Sequence, residues 1–513
     1  MTEIVRTLPD AAATQALARE VSLFARAGDT IALGGDLGAG KTTFARAFIR
    51  ALAGRDDVEV PSPTFTLVQT YDETRVRVVH CDLYRLADPR DLDELGIEEA
   101  LADSIALVEW PQNAGGLLPG DILRLDLEQA GAGRVARLAA NGAWADRLDR
   151  IATVAGFLDR SGLTGCARLH LQGDASARRY ERLDCGKNSL ILMDAPARPD
   201  PGLTGAPSYS AIAHLAESVH PFAAMAQALR AAGVHAPAIR AHDLDAGLLV
   251  LDDLGAGKIV GDEIPPAPIA ERYLDAARLL AHLHGQHLDQ TVTFAGLVTH
   301  TIPPFNRDVF DAEAALLLEW FVPHLRGSAC GEAARGDFRA AWNSVLAASG
   351  TLERAPTWVL RDYHSPNIIW CEPPSPAVGP HDRIGVIDFQ DALWGPAAYD
   401  VASLGQDARV DVPESLERKI LSAYLGERTV PGGFDEHTFR ADYAVMGAQR
   451  NSKILGIFAR LARRDGKAGY LRHIPRVRGY LVRCLAHPAL GPVRAWYERH
   501  LPEAIGGKDA KDA

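Results

Sequence analysis

The stretch Gly35-Asp36-Leu37-Gly38-Ala39-Gly40-Lys41-Thr42-Thr43 follows an apolar run at 30–33 and leads into a helical pattern at 42–52. Strand, glycine-rich turn and helix in this order, spaced G-x-x-x-x-G-K-[ST], are the setting in which backbone N–H groups close around phosphate. The glycines reach dihedrals that aim those N–H groups inward, and the helix that follows adds the positive end of its dipole. Gly35, Gly38, Gly40, Lys41, Thr42 and Thr43 are therefore candidate nucleotide-binding residues. Lys41 is placed to neutralise the β- and γ-phosphates, and the Thr42 hydroxyl to ligate magnesium. Lys41 is also the one lysine in the first 150 residues, so no lysine-rich background accounts for it. The hexapeptide DLGAGK recurs at 253–258, but Asp252 replaces the first glycine and Ile259 the Ser/Thr. That copy is not read as a phosphate loop.

Outward from the loop, a helical pattern at 11–27 precedes it, and apolar runs at 76–80 and 105–108 read as buried strands. A mostly parallel sheet covered by helices is the economical fold. Asp82 and Glu109 end these two runs. Phosphoryl chemistry needs such acids to hold the metal and order a water, although either taken singly also reads as a solvated surface acid.

At 513 residues, two to four domains are expected. A hydrophobic share of 47% and a charged share of 23% exclude a disordered, collagenous or disulfide-scaffold chain. The balance 54 − 66 = −12 makes bulk attraction to nucleic acid or anionic membrane unexpected. Cys81, Cys166, Cys185, Cys330, Cys371 and Cys484 stand alone, without Cys-x-x-Cys spacing, and a reducing cytoplasm is expected. No run reaches ~18 uncharged apolar residues and the first residues lack a signal pattern, so no membrane crossing is expected.

After about Arg150 the pattern restarts, with a helix at 151–159 and strands at 167–171, 190–193 and 248–254. Gly173-Asp174-Ala175-Ser176 lies between two of these strands. Further on, Asp362-Tyr363-His364-Ser365-Pro366-Asn367 follows an apolar strand at 357–360, and Asp388 ends another at 384–387. One carboxylate to orient and deprotonate a hydroxyl, with an Asn and an Asp to hold the ATP magnesium ions, is a phosphotransferase kit. The bare D-x-x-x-x-N spacing is also expected by chance in so aspartate-rich a chain. Text from 414 onward is mainly helical. His282 and His284 are spaced wrongly for one metal-binding helical face, and no zinc is assigned.

GDLGAGKTTF, SPTFTLVQTY, HCDLYRL, ELGIEEAL and LVEWPQNAGGLLP stand in the order and spacing of the TsaE family, the ATPase of bacterial tRNA threonylcarbamoyladenosine synthesis, over about residues 1–150. The resemblance implies a Rossmann-like ATPase working with TsaB-like and TsaD-like proteins. By it, Thr42 and Glu109 hold magnesium, Asp82 is the hydrolytic acid, Ser62-Pro63-Thr64 is a switch-like segment and Trp110 sits beside the site. The first 150 residues hold 16 bases and 24 acids, which fits an energy-supplying subunit that meets tRNA only through its partners. The rival reading of this half is a P-loop kinase of a small metabolite.

The longer half resembles the aminoglycoside phosphotransferase and choline kinase superfamily: loop, strand ending in LDDLG, LAHLH, D-x-x-x-x-N, metal Asp and YDVASL. Within it, GDASARRY, LILMDAP, RDYHSPNIIW, GVIDFQDALWGPAAYDVASLGQDARV and RNSKILGIFARL look like AmgK, the anomeric kinase of N-acetylmuramate and N-acetylglucosamine. The resemblance implies Asp362 as base, Asn367 and Asp388 as magnesium ligands, Gly173 and Ser176 in a phosphate-covering loop, and Asp253 at the adenine hinge. Asp400 is expected to brace the catalytic loop. Two departures stand out. Leu360 occupies the usual His position, and ILMDAP lacks the strand lysine, leaving Arg178 or Arg179 to supply its charge, unless both are plain surface arginines. Gln390 and Asp391 face sugar hydroxyls or are structural; Arg450 and Lys453, on one helical face, meet a lactyl carboxylate or belong to a surface helix. Aminoglycosides, choline-like alcohols and a non-catalytic regulatory kinase fold remain alternatives.

The expected architecture is an α/β P-loop NTPase domain (1–150) followed by an α+β bilobal protein-kinase-like (aminoglycoside phosphotransferase) domain (155–500), with a disordered tail at 501–513. Both halves are expected to use ATP and magnesium.

Overall fold

Residues Asp29–Gly34 form a strand buried along its whole length, β2, as a continuous apolar run flanked by strands on both sides should be. Around it lie β1 (Thr2–Leu8), β3 (Val68–Tyr71), β4 (Arg77–Asp82), β5 (Ser104–Glu109), β6 (Asp121–Ala130) and β7 (Gly133–Ala140), in the order β1-β7-β6-β2-β5-β4-β3. Helices α1 (Ala11–Ser22) and α2 (Lys41–Ala53) pack against each other. The computed structural model describes residues 2–118, 120–171, 178–200, 207–372, 379–428 and 434–506.

The sheet is mixed rather than mostly parallel. β4, β5, β2 and β6 run parallel to one another, but β1–β7, β6–β7 and β3–β4 pair antiparallel. β6 turns into β7 through two residues, with Gly131 at φ 61°, and so short a link cannot make the crossover that parallel strands need. Register decides the functional outcome: Leu33 pairs with Glu109, and Glu109 with Asp82. The two acids thus stand abreast at the carboxyl edge of the sheet, beside the loop that leaves β2.

A single helix spans Gly142–Arg160, beginning at Gly142 rather than Ile151 and running through the boundary expected at Arg150. Arg147 on it is buried and grips both carboxylate oxygens of buried Asp29, at 2.6 and 2.7 Å. Beyond it, β8 (Ala167–Leu171), β9 (Arg179–Asp184), β10 (Ser189–Asp194), β11 (Ile239–Asp243) and β12 (Leu248–Asp252) make a sheet ordered β11-β12-β10-β9-β8. Two of the cysteines expected to stand alone do not: Cys166 and Cys185 form a disulfide. Ala167 pairs with Asp184, so the antiparallel register sets the flanking cysteines opposite each other, a proximity that sequence spacing cannot show.

The chain divides into two compact units, Met1–Ala195 with Ala241–Val250, and Pro196–Arg240 with Leu251–Ala513. In the first, Leu17, Val21 and Phe24 share one hydrophobic core with Leu183, Leu192, Leu248 and Val250. In the second, Thr357–Val359 pairs with Leu393–Gly395 and Ile368–Trp370 with Ile384–Val386. The second pairing draws the loop 360–367 towards Asp388. Helices dominate from Glu414 onward, the longest being Glu436–Arg464. No helix among the described residues is long and apolar enough to cross a membrane.

Candidate active sites

The phosphate loop opens on a cleft of about 390 Å³ lined by Gly38, Gly40, Lys41, Thr42, Thr43, Ser62, Thr64, Asp82, Glu109 and Trp110, among others. Gly35, Gly38 and Gly40 have φ of 129°, 78° and 110°, and a Cβ on Gly35 would lie 2.4 Å from the Leu127 carbonyl oxygen. Both facts restrict that turn to glycine. Lys41 donates to the Gly35 and Asp36 carbonyls at 2.8 and 3.0 Å and lies 3.6 Å from the Trp110 ring centre. Burial lowers its pKa, although Glu109, Asp82 and Asp36 pull the other way.

Thr42 donates to Glu109 Oε2 at 3.1 Å. Ser62 and Thr64 both donate to Asp82 Oδ2, at 3.1 and 2.6 Å, and the Tyr84 amide donates to Oδ1. A hydroxyl and two carboxylates are hard oxygen donors of the kind magnesium takes, so this set fits the ion. Two residues here escaped the sequence reading. His80, fully buried, lies 3.0 Å from Glu109 Oε1 through Nε2 while its Nδ1 has no partner; its alternation with Asp82 on β4 was the available signal. Arg134 on β7 donates to the Ala39 and Gly38 carbonyls at 3.1 and 3.2 Å, and no spacing marks it.

In the second unit the loop around Asp362 is held from below. Buried Asp400 accepts from the Leu360 and Arg361 amides at 2.6 and 2.8 Å, bracing the loop as expected; burial raises its carboxyl to about 7 against those two bonds. Asn367 donates to the Asp362 carbonyl at 2.9 Å and approaches Asp388 Oδ2 at 3.4 Å. Arg361 and Asp388 both hold positive φ, 70° and 62°, strain of the kind that persists where surroundings over-determine a functional loop. Gln390 donates to Asp388 Oδ1 at 2.9 Å and to Asp391 Oδ2 at 3.3 Å, while its buried Oε1 has no partner. Asp391 Oδ1 accepts from the Ala216 amide at 2.7 Å. The Asn367 and Asp388 oxygens, with that orphaned oxygen beside them, fit a magnesium–phosphate ligand.

Arg450 and Lys453 are buried, 3% and 6% exposed, so the surface-helix alternative does not hold. Lys453 donates to Glu313 Oε1 at 2.7 Å and to the Tyr399 hydroxyl at 3.0 Å; Arg450 reaches the Gln406 carbonyl at 3.4 Å. Glu313 also accepts from Arg361 at 2.5 Å and from Gln449 at 3.0 Å. Burial pushes the Glu313 carboxyl up, but the Lys453 and Arg361 charges outweigh it and hold it at about 2. Burial, with Arg361 nearby, brings Lys453 down to about 8. For Asp362, burial is likewise outweighed, chiefly by Lys453, His364 and Arg361, and its carboxyl lies below the usual range.

The other expected residues are scattered. Gly173 and Ser176 lie outside the described residues. Arg178 sits just before β9. Arg179 is committed elsewhere, ion-paired with Asp194 and stacked 3.4 Å over the Phe24 ring. Asp253 accepts from the Gly255 amide at 2.9 Å, shaping the turn that enters a cleft of about 490 Å³ lined by Leu254, Gly257, Lys258, Arg272 and Trp370.

Residues 8–137 match the family described as threonylcarbamoyl adenosine biosynthesis protein TsaE, and residues 168–437 the phosphotransferase enzyme family. An N-acetylmuramate/N-acetylglucosamine kinase of Caulobacter vibrioides is 37% identical over 366 residues, 69% of this chain and 97% of that protein. A tRNA threonylcarbamoyladenosine biosynthesis protein TsaE of Rickettsia bellii is 38% identical over 115 residues, 22% of this chain and 79% of that protein. Among solved structures, a microcompartment-associated aminopropanol kinase is 14% identical, with a TM-score of 0.43, over 70% of this chain and 98% of that one.

Proposed function

We propose, for a chain that belongs to the N-acetylmuramate/N-acetylglucosamine kinases of the phosphotransferase enzyme family and, over residues 8–137, to the TsaE family, that one polypeptide carries two ATP-dependent activities. The observation that carries this reading is that Lys41, Thr42, Asp82 and Glu109 line one cleft in the first unit, while the loop 362–367 and Asp388 come together in the second.

The N-terminal site hydrolyses ATP in support of threonylcarbamoyladenosine formation on tRNA, with TsaB-like and TsaD-like proteins as partners. The acidic surface leaves tRNA contact to them. Lys41 and the loop amides bind the phosphates, Thr42 and Glu109 take magnesium, and Asp82 orients the water. Ser62 and Thr64, bonded to Asp82, tie the 62–64 segment to that acid.

The C-terminal site phosphorylates the anomeric hydroxyl of N-acetylmuramate or N-acetylglucosamine, as in cell-wall recycling. The sugar oxygen attacks the γ-phosphorus, its proton passes to the Asp362 carboxylate, and the bond to ADP breaks. Asp362 is ionised at neutral pH because its carboxyl lies low. Asn367 and Asp388 hold magnesium, which neutralises phosphate charge when bound. Gln390 keeps Asp388 oriented, and Asp391 faces the acceptor. Lys453, with Arg450, gives a carboxylate on the acceptor a cationic wall. Arg178 stands in for the missing strand lysine, and Gly173, Ser176 and Asp253 complete nucleotide binding. Both reactions belong to the cytoplasm, where ATP and these substrates meet.

The test is incubation of the full chain with Mg·ATP and a panel of N-acetylmuramate, N-acetylglucosamine, an aminoglycoside and choline. Formation of an amino-sugar 1-phosphate is expected, and transfer to the aminoglycoside or choline alone overturns the substrate assignment.

A further inference from the structure

The P-loop half and the five-stranded sheet are two families by descent, yet they are one core by packing. Leu17 and Val21 of α1 and Phe24 just beyond it are buried in the same cluster as Leu183 of β9 and Leu192 of β10. Across this contact Arg168 of β8 joins both sides: Nη1 donates to Glu20 Oε1 at 3.0 Å, and Nε and Nη2 grip Glu181 at 2.7 and 3.0 Å. Glu181 is fully buried and the Arg168 side chain nearly so. Arg179 of β9 lies over the Phe24 ring.

The helix Gly142–Arg160 repeats the pattern. Arg147 holds Asp29 of β2, and Arg150 holds Asp194 of β10 at 2.6 Å. Helix α1 packs against α2, whose first turn carries Lys41 and Thr42. Arg46 and Arg50 of α2 hold the Val60 and Val58 carbonyls, just ahead of Ser62 and Thr64. The first turn of α2 at the nucleotide cleft and the strands β9 and β10 are therefore linked through one buried cluster, which holds Phe44 and Phe48 of α2 together with Leu183 and Leu192.

We propose that the α1 face of the ATPase is a docking surface for the chain's own five-stranded sheet, and that nucleotide in the phosphate loop braces that sheet. A ligand that binds only the folded form raises the free energy of opening for every element that opens with its site. A core shared between α1 and β9–β10 makes those strands part of the same opening unit. Arg168 is the positioning residue that transmits the effect, because losing it leaves the buried Glu181 carboxylate and the partly buried Glu20 carboxylate without the cation between them. The proposal rests on the ATPase reading of the phosphate loop and is independent of which sugar the second site takes.

Native-state hydrogen exchange on the full chain, with and without Mg·ADP, reads this directly. At about 100 times the dissociation constant, amides of residues 179–184 and 189–194 are expected to exchange ~100-fold more slowly in the wild type. In Lys41→Ala that gain should vanish, whereas any protection arising from nucleotide at the Asp388 site persists in both proteins. Arg168→Gln should keep the gain at residues 41–45 and lose it in β9 and β10. Should that variant fold poorly, Glu20→Gln, which keeps the side-chain shape, is expected to reduce the gain in the strands. Protection confined to 41–45 in the wild type, or equal strand protection in Lys41→Ala, overturns the proposal. Absence of protection at 41–45 in the wild type overturns the phosphate-loop reading and the proposal with it.

Discussion

Arg361, Glu313 and Lys453 come from the catalytic loop and two separate helices, yet they form one buried cluster whose two cations share a single carboxylate. Glu313→Gln leaves both cations without their anion, and ~3–5 kcal/mol of stability is expected to go at neutral pH. The sign with pH follows from the depressed carboxyl. Its contribution is complete above the unfolded value of about 4.3 and is lost as pH falls through about 2. Urea unfolding curves of the wild type and Glu313→Gln should therefore converge in strong acid, and a constant gap across pH 2–7 would contradict the assignment. At neighbouring Asp362, the proposed base, Asp362→Asn keeps size and hydrogen bonding but removes the carboxylate proposed to accept the proton. Sugar phosphorylation should fall ~10²–10⁴-fold while sugar binding, measured by calorimetry, persists. Lys41, Thr42, Asp82 and Glu109 were legible from local spacing and strand ends. Glu313, His80 and Arg134 were not, because each acts through a partner distant in sequence or on a neighbouring strand.

At the scale of elements, β2, α2, β4 and β5 were readable from apolar runs and the glycine signal, to within a residue or two at their ends. The helix Gly142–Arg160 was half missed, since Trp144, Arg147 and Leu148 are buried against a sheet whose register no local pattern announces. Two substitutions probe it in opposite directions. Arg147→Met strands Asp29 in the interior, and a loss of about 3–5 kcal/mol in chemical denaturation is expected. Gly156→Ala adds a Cβ that meets only the movable Arg160 Nη1 at 3.3 Å. A gain of ~0.5–1 kcal/mol is expected there, from better helix propensity and a less flexible unfolded chain. A loss at Gly156 would mean that the helix packs more tightly than the structure shows.

For the molecule as a whole, the shared core makes a prediction about cutting. A protease site inserted between exposed Thr164 and Gly165 leaves every core contact of the first unit intact, so the nicked pieces should elute together under native conditions and separate in denaturant. Native separation after the nick would show that the two families merely adjoin. The sequence by itself determined that two ATP-using families are joined and where the phosphate loop lies, because these depend on residues close in the chain or on motifs kept in order. Only the tertiary structure decided that three of the sheet's six pairings are antiparallel, that Cys166 meets Cys185, that Arg450 and Lys453 are buried, and that α1 and β9–β10 share one core. These outcomes turn on strand register and on which apolar face meets which. Both are settled by the free energy of packing surfaces far apart in sequence, where local propensity and spacing carry no information.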